Sequence, residues 1–233
     1  MTPGTPVELN FIEAGPQDAP ALIFVHGLGD SSLIWKPWMD AYAPTWRVIA
    51  PDLRGHGDSP RPSSYDLTDM VADLEALIDR LNLAPAVIVA HSMGAMITYL
   101  LAERRPDQVR ALLLEEPPPP LPADPPRDEG QRPDRDLTYD WNIQAPFSHH
   151  RNHPDPAWLP GLRFITCPVL ILRGTQSHIN RTQVEAMTAE LPQSHLTELD
   201  AGHDLHTETP EAFTHHLAHF LQTQSSTAAV PET

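Results

Sequence analysis

The sequence predicts an α/β fold: a mostly parallel, doubly wound sheet of about eight strands, helices on both faces, and a small Pro-rich lid insertion. Three observations carry this. Short apolar runs rich in Val, Ile and Leu recur along the chain. Stretches with helical apolar spacing separate them. Gly- or Pro-containing turns close several of the runs at their carboxyl ends. The 233 residues suffice for one such domain, its core and a modest insertion.

Residues 7–14 alternate weakly and read as an edge strand ending at Gly15-Pro16. Residues 21–25 form a short buried strand, followed at once by His26-Gly27-Leu28-Gly29. Ser31 or Ser32 can cap a helix over 33–42. The next strand, 46–50, is closed by Pro51-Asp52 and leads into the loop Leu53-Arg54-Gly55-His56-Gly57-Asp58-Ser59. Asp66 or Thr68 then caps an amphipathic helix whose Met70, Leu74, Leu77, Ile78 and Leu81 share one face. Strands follow at 87–89, 109–114, 168–172 and 196–199, with helices after Ser92, at 183–191 and at 210–221.

One segment breaks the rhythm. Twelve prolines fall between Glu116 and Gly161. Proline lacks the donor that helix interiors and ladders need, so irregular backbone is expected there. Leu137, Tyr139, Trp141, Ile143, Phe147, Trp158 and Leu159 lie in the same segment, and that apolar content suits a lid over a pocket better than a tether. The expected organisation is a core of 1–116 and 162–222, a lid of 117–161 and a polar tail of 223–233.

The formal net charge of −16 argues against nucleic acid and anionic membrane as partners. No apolar run approaches the roughly eighteen residues that a membrane span needs. The first residues, MTPGTPVELN, lack the basic and apolar regions of a secretion signal. The single cysteine, Cys167, rules out an intramolecular disulfide and fits a reducing compartment, so a cytoplasmic location is expected. His215 and His219 share a helix face at a metal-binding spacing, but no third ligand is evident.

The stretch Val87-Ile88-Val89-Ala90-His91-Ser92-Met93-Gly94 reads as a strand that turns sharply into a helix. So tight a turn needs small residues two before and two after its apex, and Ala90 and Gly94 supply them. It holds Ser92 in a strained conformation with its hydroxyl clear of the sheet edge, and it places the Met93 amide at a helix N-terminus, ready for an oxyanion. Ser92 is thus a candidate nucleophile that still needs a base.

The motifs His26-Gly27, Pro51-Asp52-Leu53-Arg54-Gly55-His56-Gly57-Asp58-Ser59, Ala90-His91-Ser92-Met93-Gly94 and Ala201-Gly202-His203 occur in that order, each at the carboxyl end of a predicted strand. In this order the chain resembles the α/β-hydrolase fold superfamily, in its small serine esterase-like form. The resemblance implies that His203 is the base and that the Leu28 and Met93 amides form the oxyanion hole. The family's usual acid position, after the 168–172 strand, is occupied here by Ser177. Some relatives carry the acid one strand earlier, and that alignment puts it at Glu116, with Glu115 on the opposite side of the strand.

The activity so implied is carboxylic ester hydrolysis of a small-molecule substrate through an acyl-enzyme, which requires no metal or organic cofactor. Dehalogenases and epoxide hydrolases of the fold use an aspartate nucleophile, so Ser92 argues against both. Carbon–carbon bond hydrolases, lactonases and peroxidase-like members keep serine and stay open. So does a non-catalytic ligand-binding homologue, which the serine at position 177 favours and the retained Ser92 and His203 disfavour. Asp52, Arg54 and Asp58 are expected to fix loop geometry.

Overall fold

The computed structural model describes residues 4–226. Seven strands form one sheet in the order β1-β3-β2-β4-β5-β6-β7, against the about eight expected. They are β1 (Phe11–Ala14), β2 (Ala21–Val25), β3 (Arg47–Pro51), β4 (Ala86–His91), β5 (Val109–Glu115), β6 (Val169–Gly174) and β7 (Ser194–Leu199). Only β1 runs antiparallel to its neighbour; every other pairing is parallel. The helices are α1 (Lys36–Tyr42), α2 (Leu67–Leu81), α3 (Ser92–Arg104), α4 (Gln144–Asn152), α5 (Trp158–Gly161), α6 (Arg181–Glu190), α7 (Leu205–Glu208) and α8 (Pro210–Ser226).

The central strands are apolar throughout because both faces are covered. In β4, Ile88 and Ala90 pack with α2 and α3, whereas Val87 and Val89 pack with α1 and α8. β5 repeats the alternation, Leu112 and Leu114 against Ala111 and Leu113. Helix α2 buries Met70, Leu74, Leu77 and Ile78 and leaves Leu81 partly exposed. Asp66 caps its start by accepting from the Thr68 amide at 2.9 Å, and Asn82 ends it in the left-handed region.

Several boundaries differ from expectation. The edge strand begins at Phe11, where pairing with Pro51 starts; before it, Asn10 offers its carbonyl to the Asp52 amide at 2.9 Å and Val7 turns its amide to Asp73 of α2 at 2.7 Å. The segment expected as one helix over 33–42 opens as a 3-10 turn, Ser32–Trp35, and Ser31 stands at its cap position without a side-chain hydrogen bond. Helix α8 continues to Ser226, into the expected tail; the rest of that tail, 227–233, lies outside the described residues. Between β5 and β6 the chain is irregular to Asp140 and then forms α4 and α5. Tyr65 and His150 tie this segment to the α2 region through Asp140, at 2.6 Å, and Asp66, at 3.1 Å. Among the described residues no helix is long and apolar enough to cross a membrane.

The loop after β3 is anchored from below. Asp52 accepts from the amides of Ser32 and Asp58 and from Asn10. Asp58 offers only its backbone here; its side chain is exposed. Arg54, 2% exposed, bonds Asp73 at 2.7 Å and lies 3.3 Å from Asp69, with further bonds to the Ser64 and Asp69 carbonyls. Removing one side of a buried pair strands the other charge, at a cost of about 3–5 kcal/mol. Arg54→Ala is therefore expected to lower urea-unfolding stability by that amount; a loss below about 1 kcal/mol would contradict the anchoring role.

Candidate active site

Strands β4 and β5 run side by side with His91 opposite Glu115, so the next residues, Ser92 and Glu116, leave the sheet at neighbouring points. Both have left-handed backbone, φ +50° at Ser92 and +51° at Glu116, a conformation non-glycine residues rarely adopt. At Ser92 the tight approach of the turn to β2 explains the need for small neighbours. A Cβ on Gly94 would lie 2.4 Å from the His26 carbonyl, and one on Gly27 would lie 2.7 Å from the His91 ring.

His203, on the loop after β7, comes between the two. Its Nε2 lies 2.9 Å from Ser92 Oγ and its Nδ1 lies 3.0 Å from Glu116 Oε2. Glu116 is fully buried and holds two further donors: the Gly174 amide at 2.6 Å and the Ser177 hydroxyl. The residue at the family's usual acid position is thus a hydrogen-bond donor to the carboxylate one strand away. Glu115 points to the other side, where it accepts from the backbone and Nδ1 of His206 at 2.8 and 2.9 Å. His91 also turns away from Ser92, its Nε2 donating to the His203 carbonyl at 3.1 Å.

Met93 is the second residue of α3, so its amide has no intrahelical acceptor. Leu28 lies on the loop after β2 and lines the same cavity as Ser92 and His203. Two histidines lace this loop to the one after β3. His26 Nδ1 donates to Gly27 O at 2.7 Å while Nε2 accepts from the Leu53 amide at 3.0 Å. His56 Nδ1 donates to Arg54 O at 3.1 Å while Nε2 accepts from the Gly29 amide at 3.1 Å. Each ring needs one bare nitrogen, so each is held neutral. Burial pushes His26 down to about 4, and burial together with the nearby His26 pushes His56 down to about 3.

The cavity measures about 840 Å³. Tyr139, Phe147 and Leu137 of the segment after β5 line it. Trp158, expected as an apolar contact, packs instead on His150 and faces a separate hollow beside Glu103, because α5 turns toward α3. Trp141 stands behind Tyr139, ring centres 6.3 Å apart, and does not line the cavity. Sequence reasoning missed His178, whose ring centre lies 4.5 Å from that of His203, and the Glu115–His206 pair. Position on the loop after β6 was the only hint for the former.

His91, Glu115 and His206 bring donor atoms within 4.8 Å of one another, the sole grouping of this kind among the described residues. All three are buried. Burial raises Glu115; against burial, which lowers a histidine, the bonds and charge of Glu115 raise His206. His206 thus already occupies the carboxylate with its own proton. His215 and His219 are exposed on α8. Cys167 is a half-buried thiol, pushed up to about 11 by burial.

Residues 20–152 match the alpha/beta hydrolase fold family, over half the chain. The chain belongs to that family. A haloalkane dehalogenase of Bradyrhizobium diazoefficiens is 41% identical to this chain over 105 residues, 45% of this chain and 34% of the relative. Lipase LipV of Mycobacterium tuberculosis is 35% identical over 111 residues, 48% of this chain and 42% of the relative. The matched stretches thus span about a third to two fifths of these relatives' lengths. Among solved structures, one reported with carboxylesterases of Nitrososphaera gargenis superposes with a TM-score of 0.84 at 19% identity, over 94% of this chain and 96% of that chain.

The two laced histidines give a pH signature. Their folded values lie below the unfolded value near 6.5, so their contribution is full above about 6.5 and is lost as pH falls toward about 4 for His26 and about 3 for His56. Each should cost about 2 kcal/mol between pH 7 and pH 5. His26→Asn and His56→Asn, unfolded in urea at both pH values, should each shrink the wild-type difference by about that amount. An unchanged difference in either variant would contradict neutral lacing at that position.

Proposed function

We propose that this hydrolase cleaves carboxylic esters of small molecules through an acyl-enzyme on Ser92. The observation that carries the reading is the unbroken chain from Ser92 Oγ through His203 to Glu116, at 2.9 and 3.0 Å, opening on the cavity. Ser92 attacks the ester carbonyl as His203 Nε2 takes its proton. The Met93 and Leu28 amides bind the oxyanion, and Glu116 steadies the imidazolium while fixing its ring. The alcohol leaves with the proton from His203. Water then attacks the acyl carbon as His203 takes its proton, and that proton passes to Ser92 Oγ as the bond to the acyl group breaks and the acid leaves. The segment 117–161 acts as a lid, its Tyr139 and Phe147 forming one wall of the site. The lone cysteine supports a reducing, cytoplasmic setting.

Chemistry separates this reading from the dehalogenase and epoxide hydrolase activities named among the relatives. Attack by a serine on a saturated carbon would leave an ether, which offers water no carbonyl to attack. Attack on an acyl carbon leaves an ester, which water can open. The nucleophile at position 92 therefore suits acyl substrates, lactones included, and not alkyl halides.

A fluorophosphonate probe should label the wild type at Ser92 and fail on Ser92→Ala; labelling that survives the substitution would refute the assignment. Glu116→Gln should lower kcat on an aryl acetate by about 10³–10⁴, the scale of losing the acid in such a triad. Glu115→Gln should leave far more activity, and the reverse ranking would reassign the acid.

A further inference from the structure

Three arginines line the cavity, and among the described residues none of them forms an ion pair; Arg135 is exposed, whereas Arg127 is half-buried and Arg151 buried. Arg151, on α4, is 7% exposed, and among the described residues its side chain makes one hydrogen bond, from Nη1 to Pro119 O at 2.7 Å. Arg127 gives Nη2 to Gln144 Oε1 at 2.8 Å and lies over the Phe147 ring at 5.0 Å. Its buried Nε has no partner. Both line the same cavity as Ser92 and His203.

The contrast with the other buried arginines is direct. Arg54 meets Asp73, and Arg173 meets Glu198 at 2.9 Å. Acids outnumber Lys and Arg by 31 to 15 in this chain, so carboxylates are plentiful. Asp30, Asp124, Asp128, Asp136 and Asp204 even share the cavity, yet none forms an ion pair with Arg127 or Arg151. Burying an uncompensated cation is costly, and two in mutual repulsion more so. Burial lowers both guanidinium groups, and Arg127 lowers Arg151 further. His178 feels both arginines and lies tilted against His203, ring centres 4.5 Å apart, which brings the two guanidinium groups near the reacting groups.

We propose that the ester cleaved here carries a carboxylate, in its acyl or its alcohol part, and that Arg127 and Arg151 bind it. A guanidinium fork matches a planar carboxylate with paired N–H donors, and bonds to charged partners are the stronger kind. The class is thus the half-ester of a dicarboxylic acid or the ester of a hydroxy acid. The turnover part of this proposal rests on the serine-hydrolase reading; the binding part does not.

The test compares monoethyl succinate, glutarate and adipate, and the acetate esters of hydroxy acids of matching length, each with a neutral partner in which an isopropyl group replaces the carboxylate. In the wild type, kcat/KM should favour the anionic member of at least one pair tenfold or more. Arg127→Gln should cut that ratio at least tenfold, and Arg151→Lys, which keeps charge but loses the fork, should cut it less. Calorimetry on Ser92→Ala gives the same comparison without chemistry: the favoured anionic ester should bind at least tenfold tighter than its neutral partner, and Arg127→Gln in that background should abolish the preference. Ratios near one in every pair, or a ratio that neither substitution alters, would mean that the arginines only brace the segment around α4. If no ester turns over and Ser92 resists the fluorophosphonate, the acyl-transfer reading fails, and the calorimetric preference alone decides the carboxylate site.

Discussion

The site depends on one constraint: two adjacent parallel strands end, level with each other, in two residues forced into left-handed backbone. Ser92 leaves β4 and Glu116 leaves β5 with nearly the same φ, +50° and +51°. The reversal ends the alternation that would send their side chains into the helical layers. It aims both toward the loop after β7, where a single imidazole bridges them. Strain of this kind costs on the order of 1–3 kcal/mol per residue, and it persists only where the surroundings over-determine it. Here the surroundings are the apolar strands behind, the close contact at Gly94, and the Gly174 and Ser177 donors that fix Glu116.

Around that constraint the structure spends its buried polar groups on rigidity. Arg54 holds the loop after β3 down on α2, and His26 and His56 bind that loop to the one carrying Leu28. His91 fixes the backbone of His203, and the buried Glu115–His206 pair fixes the start of α7 just beyond it. Every loop that reaches the cavity from the sheet is therefore tied to its neighbour. The lining contributed by the segment after β5 is tied too, by Tyr139 stacking on His56 and by Thr138 donating to Gly29 O.

Much of the fold was legible in the sequence because the central strands are buried on both faces and read as continuous apolar runs; Ala21–Val25 and the β4 stretch have no polar interior. The amphipathic pattern of α2 and its Asp66 cap were equally plain. Ser92 could be singled out from the strand-turn-helix pattern around it, whereas His203 and Glu116 were legible only through the family resemblance. What stayed hidden depends on contacts between distant segments. Nothing local marks Ser177 as a donor to Glu116, or Glu115 as the partner of His206, some ninety residues on. Trp158 could be read only as apolar content of the segment, because aromatic content carries no direction; its seat beside Leu100 and Glu103 of α3 depends on contacts between distant segments. Arg127 and Arg151 looked like two more basic residues in a polar stretch, and only their placement on the cavity wall, away from bulk solvent and without an ion pair among the described residues, distinguishes them.

The similarity to a haloalkane dehalogenase and to an epoxide hydrolase covers 45% of the chain in each case, and the family match over 20–152 takes in the laced loops and the elbow. The central claim is that His203 presents a bare Nε2 to Ser92 because Glu116 claims the proton on Nδ1. Nitrogen-15 NMR of histidine-labelled protein reads this directly. The account predicts a His203 ring protonated at Nδ1 and unprotonated at Nε2 in the resting protein. A ring carrying its proton on Nε2, with Nδ1 bare, would leave the serine without a base and contradict it.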